Sequence, residues 1–224
     1  DGARMRTVIV ELDGTLADTI GDLIAAANAC FRARGHGDIL DPVADMSTAF
    51  AGGRAMLRLG FRRLGLTDEA AVDAEYLRFL DLYGENIDVF TTLYPGAEAA
   101  VERLLSDGYA VGICTNKPER LAETLMARLG VRGLFGSLVG ADTLPVRKPD
   151  PAPYVAAVER AGGAVARSLL VGDTVTDRDT ARAAGVPCAL ITFGPGGRGV
   201  AALEPDALLD DYDALAAVVS RLIG

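Results

Sequence analysis

Five short, almost wholly apolar runs constrain this chain most: Thr7–Val10, Ala110–Cys114, Ser137–Val139, Ser168–Val171 and Cys188–Ile191. Each has the length of a strand, and none alternates with polar residues as a half-exposed strand would, so each predicts a strand buried on both faces. Segments with apolar residues at helical spacing separate the later runs. Ala97–Asp107 stops at Gly108, and Pro118 opens a helix that runs to about Leu129 before Gly130. Ala152–Ala161, Asp177–Ala184 and Asp213–Leu222 predict three more. Buried strands joined by helices of this length require right-handed crossovers, so the expected core is α/β: a parallel sheet covered on both faces.

Residues 17–90 break the alternation. Asp22–Arg34, Gly53–Leu64 and Glu69–Asn86 read as amphipathic helices with no strand between them, which predicts a helical insert directly after the first strand. The expected division is an α/β core from 5–16 and 93–224, with a helical domain over 17–92. Asp1–Arg4 precede Met5 and read as a remnant outside the natural fold. A length of 224 residues accommodates one large domain or a core with a modest insertion.

The net charge of −9 argues against nucleic acid as a partner, since no basic surface is available for phosphates. It does not forbid a small anionic ligand, provided a cation and a few local positive charges reverse the field in the site. Cys30, Cys114 and Cys188 are widely spaced and odd in number, which predicts reduced thiols and a cytoplasmic protein. No apolar run is long enough to span a bilayer, so no membrane role is expected. The single histidine, His36, leaves Ser-His-Asp or histidine-rich zinc chemistry almost nothing to work with.

The polar residues of interest follow the strands, where open parallel sheets place their ligands. Glu11 and Asp13 stand two positions apart after the first strand and therefore point the same way. Gly14 permits a tight turn, and Thr15 can hydrogen-bond the loop it begins. Thr115-Asn116-Lys117-Pro118 follows the strand ending at Cys114, and Gly172-Asp173-Thr174-Val175-Thr176-Asp177 follows the strand ending at Val171. Lys148 lies in a proline-stiffened loop, Arg147-Lys148-Pro149-Asp150-Pro151.

Glu11-Leu12-Asp13-Gly14-Thr15, with these other segments in order, resembles the D-x-D-G-T signature and following motifs of the haloacid dehalogenase superfamily. The resemblance implies a Rossmann-like core, with the helical insert as a cap that closes over the active site. It also implies a magnesium-dependent phosphatase acting through a carboxyl-phosphate intermediate. Glu11 would be the nucleophile and Asp13 the general acid/base. Lys148 would offset charge on the transferring phosphoryl group, while Thr115 and the backbone amide of Asn116 hold its oxygens. Mg2+ would take Glu11, Asp173 and the backbone carbonyl of Asp13, with Asp177 acting directly or through water. Four carboxylates at one place (Glu11, Asp13, Asp173 and Asp177) would repel strongly unless a cation sat among them, and oxygen ligands suit magnesium better than zinc.

Within the superfamily, Leu93-Tyr94-Pro95-Gly96, Cys114–Pro118, Gly140-Ala141-Asp142 and Lys148–Pro151 are most similar to phosphoglycolate phosphatase and its near relatives. The resemblance therefore implies a small phosphorylated metabolite as substrate, and leaves the oligomeric state open. Asp13, Asp173 and Asp177 argue against a haloacid dehalogenase, which needs neither metal nor an acid at position 13. A sugar-phosphate mutase would differ only in the cap. Arg54, in Ala51-Gly52-Gly53-Arg54, can meet a substrate carboxylate bidentately, or can be an ordinary exposed arginine at a helix start. Gly194–Gly199 reads as a mobile loop.

The sequence departs from the family at Glu11, where the pattern has Asp, and at Val10, where it usually has Phe. One extra methylene moves the carboxylate by roughly 1 Å, a displacement that can cost on the order of 100-fold in rate. A slow natural phosphatase, a catalytically silent phospholigand-binding or regulatory relative, and an enzyme altered in the laboratory all fit this departure.

Overall fold

The computed structural model of the protein describes residues 4–66 and 68–224. The expected remnant Asp1–Arg4 lies outside the described residues except for Arg4. The chain divides into two compact units, one formed by residues up to Ala17 with Leu93–Gly224 and the other by Asp18–Thr92. No helix among the described residues is long and apolar enough to cross a membrane.

Strand β1 (Met5–Val10) begins the first unit, and two-residue strands β2 (Ala17–Asp18) and β3 (Thr92–Leu93) lie where the chain leaves and re-enters it. β4 (Ala110–Cys114), β5 (Ser137–Val139), β6 (Gly163–Gly172), β7 (Cys188–Ile191) and β8 (Ala207–Leu209) complete the strands. The six-stranded sheet has the order β5-β4-β1-β6-β7-β8, and every neighbouring pair is parallel. β1 is thus central: Val10 is level with Ile113 on one side and Val171 on the other. This register brings the segments after β1, β4 and β6 to the same edge of the sheet.

Helices α5 (Ala97–Ser106), α6 (Glu119–Arg128), α7 (Ala152–Arg160), α8 (Val175–Ala184) and α9 (Leu215–Ile223) belong to this unit. Tyr154, Ala157 and Val158 of α7 and Ala181 of α8 share one apolar cluster with Ile9, Leu170 and Leu190 of the strands. Val8 and Val10 point to the opposite face and are equally buried, as expected of a sheet covered on both sides. The final helix starts two residues later than predicted, because Tyr212–Ala214 form a 3-10 turn first. Gly194–Gly199 is not the plain loop expected. Gly197–Leu203 forms a 3-10 helix that buries Val200, and Gly194 has no room for a side chain, since a Cβ there would lie 2.7 Å from the Gly14 carbonyl oxygen.

The second unit is helical: α1 (Ile20–Ala33), α2 (Met46–Phe50), α3 (Gly53–Arg63) and α4 (Glu69–Glu85). Its core holds Phe31 edge-on to Phe61, with ring centres 5.6 Å apart. Gly60 makes this possible, because a Cβ there would fall 2.0 Å from the Phe31 ring. Asp22, buried in the first turn of α1, accepts the Phe90 and Thr91 backbone N–H groups and the Thr91 hydroxyl, joining the two ends of the unit. Arg63 donates to both carboxylate oxygens of Asp45 and to the Ile39 carbonyl.

Candidate active site

At the carboxyl end of β1 the chain turns sharply. The Leu12 carbonyl accepts from the amides of Thr15, Leu16 and Ala17, and Gly14 adopts φ +80°. Thr15 then donates its hydroxyl to Asp173 at 2.7 Å, linking the ends of β1 and β6. Glu11 is held at its backbone by the Val171 carbonyl, 2.9 Å away. Its side chain curls back so that Oε1 accepts the Leu12 N–H at 2.8 Å, while Oε2 meets the Lys148 ammonium.

The Lys148 ammonium is fully buried and donates also to Asp177 Oδ1 at 2.7 Å. The other oxygen of Asp177 accepts the backbone N–H groups of Asp173 and Thr174 and the Thr174 hydroxyl. Thr174 and Asp177 form a reciprocal capping box at the start of α8, which explains their spacing in local terms. Gly172 is required beside it, because a Cβ there would sit 2.3 Å from Asp177 Oδ2. Both oxygens of Asp177 are therefore engaged, one by Lys148 and the other at the start of α8.

Asp13 is paired with a different lysine. Its carboxylate meets the Lys117 ammonium at 2.9 Å. The expected convergence of four carboxylates is thus not found, and among the described residues no three His, Cys, Asp or Glu side chains are arranged to hold a metal ion. Two lysines divide the acids instead, Lys148 standing between Glu11 and Asp177 and Lys117 against Asp13.

The compensation is incomplete. Burial alone would lower the Lys148 pKa, but Asp177 and Glu11 outweigh it and hold the ammonium well above its ordinary value. Burial raises Glu11 despite Lys148, with Asp177 and Asp13 adding to the rise. Asp173 is held well above the usual carboxylate range by burial and by the charges of Asp177 and Glu11, which outweigh its hydrogen bond from Thr15. The Lys148 charge lowers it only in part, and no salt bridge reaches Asp173 among the described residues. Glu11, Asp173 and Asp177 against Lys148 make three buried carboxylates for one ammonium, a formal net charge of −2.

Of the segment after β4, Thr115 is buried, its amide bonded to the Val139 carbonyl at 2.9 Å and its hydroxyl accepting the Lys117 N–H at 3.1 Å. The Asn116 side chain reaches the backbone of Lys148. Cys114 is a small core residue, its thiol pushed up to about 12 by burial.

The sequence profile of the family described as a haloacid dehalogenase-like hydrolase matches residues 5–185. The chain belongs to this family. A phosphoglycolate phosphatase from Mesorhizobium japonicum is 37% identical over 218 residues, covering 96% of each chain. A second, from Agrobacterium fabrum, is 37% identical over 211 residues, covering 92% of this chain and 89% of that protein. In three dimensions the chain is similar to the crystal structure of a predicted phosphoglycolate phosphatase from Haemophilus somnus, with a TM-score of 0.85 and 24% identity, covering 97% of this chain and 99% of the other.

Sequence reasoning did not single out Lys117 or the side chain of Asn116, which contact Asp13 and the backbone of Lys148. A signal for Lys117 was present. The chain has only two lysines, Lys117 and Lys148, all its other basic residues apart from His36 being arginines. Both lysines are buried, and both meet acids of the candidate site. Arg54, in the helical unit, stacks over the Tyr76 ring with its guanidinium 3.9 Å from the ring centre and donates to Asp73 at 3.2 Å.

Proposed function

We propose that this chain hydrolyses a small phosphate monoester of the phosphoglycolate type with Mg2+, slowly. The observation that carries the proposal is the set of three buried carboxylates, Glu11, Asp173 and Asp177, around one ammonium, with no salt bridge to Asp173 among the described residues. A divalent cation matches that excess of negative charge, and its preferred ligands are the hard oxygens found there. Glu11, Asp173 and the backbone carbonyl of Asp13 would hold the ion, which polarises a phosphoryl oxygen when bound. The names of the relatives support phosphoglycolate as the substrate class.

In this reading Glu11 attacks phosphorus as the ester P–O bond breaks, and Asp13 gives its proton to the departing alkoxide. A carboxyl-phosphate remains on Glu11. Asp13 then takes a proton from water as the water oxygen attacks, releasing inorganic phosphate and regenerating Glu11. Lys117 keeps Asp13 in place, while Thr115, the Asn116 amide and Lys148 meet phosphoryl oxygens. The helical unit acts as a cap that excludes water.

The slowness comes from Glu11. The longer side chain places one oxygen on the Leu12 amide and the other on Lys148, so attack must first break one of these contacts. The same engagement favours the rival reading, a phosphate-binding relative without turnover.

A panel of phosphate monoesters with Mg2+ tests the choice, run on this chain and on Glu11→Asp. We expect Glu11→Asp to raise kcat by on the order of 100-fold, through alignment of attack. Mg2+ should raise Tm of the parent chain, and Asp173→Ala should remove that rise. Inactivity of Glu11→Asp across the panel rejects the enzyme reading in favour of the silent one, and an equal response of both chains to Mg2+ rejects the metal site.

A further inference from the structure

Residues 140–151, which carry Lys148, contain neither helix nor strand. Yet the ammonium at the end of this long, flexible side chain is fixed between two carboxylates. A lysine on an irregular loop reaches one place reliably only if its own backbone is held. The geometry points to Asn116 as the residue that holds it, and we infer that Asn116 is a positioning residue for Lys148. The inference rests on the phosphatase reading above for its catalytic consequence, but not for its structural content.

Asn116 Nδ2 donates to the Lys148 carbonyl at 2.9 Å, and Asn116 Oδ1 accepts the Lys148 N–H at 3.1 Å. One side-chain amide thus satisfies both backbone polar groups of one residue, as a neighbouring strand would. The two partners fix which end of the amide is oxygen, because only a carbonyl can accept and only an N–H can donate. The next positions cannot substitute, since Pro149 and Pro151 have no backbone N–H.

The loop is fastened at its other end to the same segment. The Ala141 N–H donates to the Lys117 carbonyl at 2.9 Å, and Asp142 accepts the Glu119 N–H at 2.9 Å. Gly140 permits this approach, because a Cβ there would lie 2.6 Å from the backbone of Glu119. Its start is therefore clamped by backbone contacts at 117–119, and its functional end by Asn116 alone in this segment. Asn116 is itself rigidly based, directly after the Thr115 amide that extends the β4–β5 ladder. Consecutive residues then serve two different groups, Asn116 the backbone of Lys148 and Lys117 the carboxylate of Asp13.

Asn is well suited to this role. Gln carries its amide one methylene too far, and Asp keeps the acceptor but replaces the donor with an oxygen that repels the Lys148 carbonyl. Asn116→Asp is therefore a near-isosteric removal of one hydrogen bond, and Asn116→Ala removes both.

The first measurement uses the chain as it stands. With only two lysines, 15N-lysine labelling gives two side-chain ammonium signals, assigned by losing one in Lys117→Arg. We expect Asn116→Asp and Asn116→Ala to shift the Lys148 signal and to speed its exchange with water by about tenfold or more, with the Lys117 signal moving less. An unmoved Lys148 signal in both variants overturns the inference, even if Tm falls. The second measurement adds the same substitutions to Glu11→Asp with Mg2+. Asn116→Ala should lower kcat by about 10- to 100-fold, the scale set by misplacing a catalytic group by about 1 Å, with KM changed by less than about threefold. Unchanged kcat, or a loss confined to KM, overturns the positioning role. Should Asn116→Ala fail to fold, Asn116→Asp carries both tests. If Glu11→Asp hydrolyses nothing, the phosphatase reading fails on its own, and the ammonium signal still decides whether Asn116 places Lys148.

Discussion

Acidic and basic side chains meet in both units of this protein, under opposite conditions. In the helical unit two of the pairs lie at the surface: Arg58 and Glu69 are 46% and 64% exposed, Arg54 and Asp73 44% and 63%. At the sheet edge, Lys148 and Asp177 are 0% and 1% exposed. The surface pairs are solvated before and after they form, so each contributes little. The buried set has lost its water, and only mutual contact keeps it tolerable. The contrast shows where the molecule accepts an energetic burden, and it does so where strand ends converge on a candidate site.

The contrast breaks most severely at Lys148. Lys148→Met should destabilise the α/β unit by about 3–5 kcal/mol in urea unfolding, because Glu11 and Asp177 would face each other without a cation. A loss below about 1 kcal/mol would mean that the buried ammonium is no more than a surface pair in another place.

Asp45 provides an intermediate case, since it is buried while its partner Arg63 is 43% exposed. Its hydrogen bonds from Arg63 hold the carboxyl below its usual value of 3.8. A depressed carboxyl pKa contributes stability that is fully present above the unfolded value and lost as pH falls through the folded one. Asp45→Asn should therefore cost about 1–2 kcal/mol between roughly pH 5 and 8, with the difference from the parent shrinking below about pH 4. A difference that persists unchanged to the lowest pH at which the chain stays folded would remove the ion pair as its cause. The smallest effect belongs to the fully solvated pair: Arg58→Ala should move Tm by no more than about a degree or two.

Much of this architecture was readable from local pattern. β4, β5 and β7 carry the bounds their apolar runs predict, and α8 differs only at its start, because Val175 and Thr176 join its first turn. What escaped was short or distant. α2 has five residues, too few for a helical period to register. The Asp13–Lys117 contact spans 104 positions, and nothing near either residue announces it. Four carboxylates were expected to share one cation because spacing reveals which side chains reach an edge, but not which way each turns there. Asn116 illustrates the same limit. Its place in the segment after β4 was legible, whereas its grip on Lys148, 32 residues away, exists only in the folded chain.

The strand order has a consequence for the protein's birth. β1 is made first yet lies in the centre of the sheet, and its second neighbour, β6, ends at Gly172. Ribosomes add roughly 5–20 residues per second, so Thr7–Val10 wait on the order of ten to thirty seconds for both flanks to be covered. Thr15 waits as long for Asp173, 158 positions downstream. Throughout that interval an apolar strand has an open edge, the feature through which unfinished chains join one another. The helices of Asp18–Thr92 close on local contacts and can fold meanwhile, so a nascent chain of this kind would carry a finished helical domain beside an unsheltered strand.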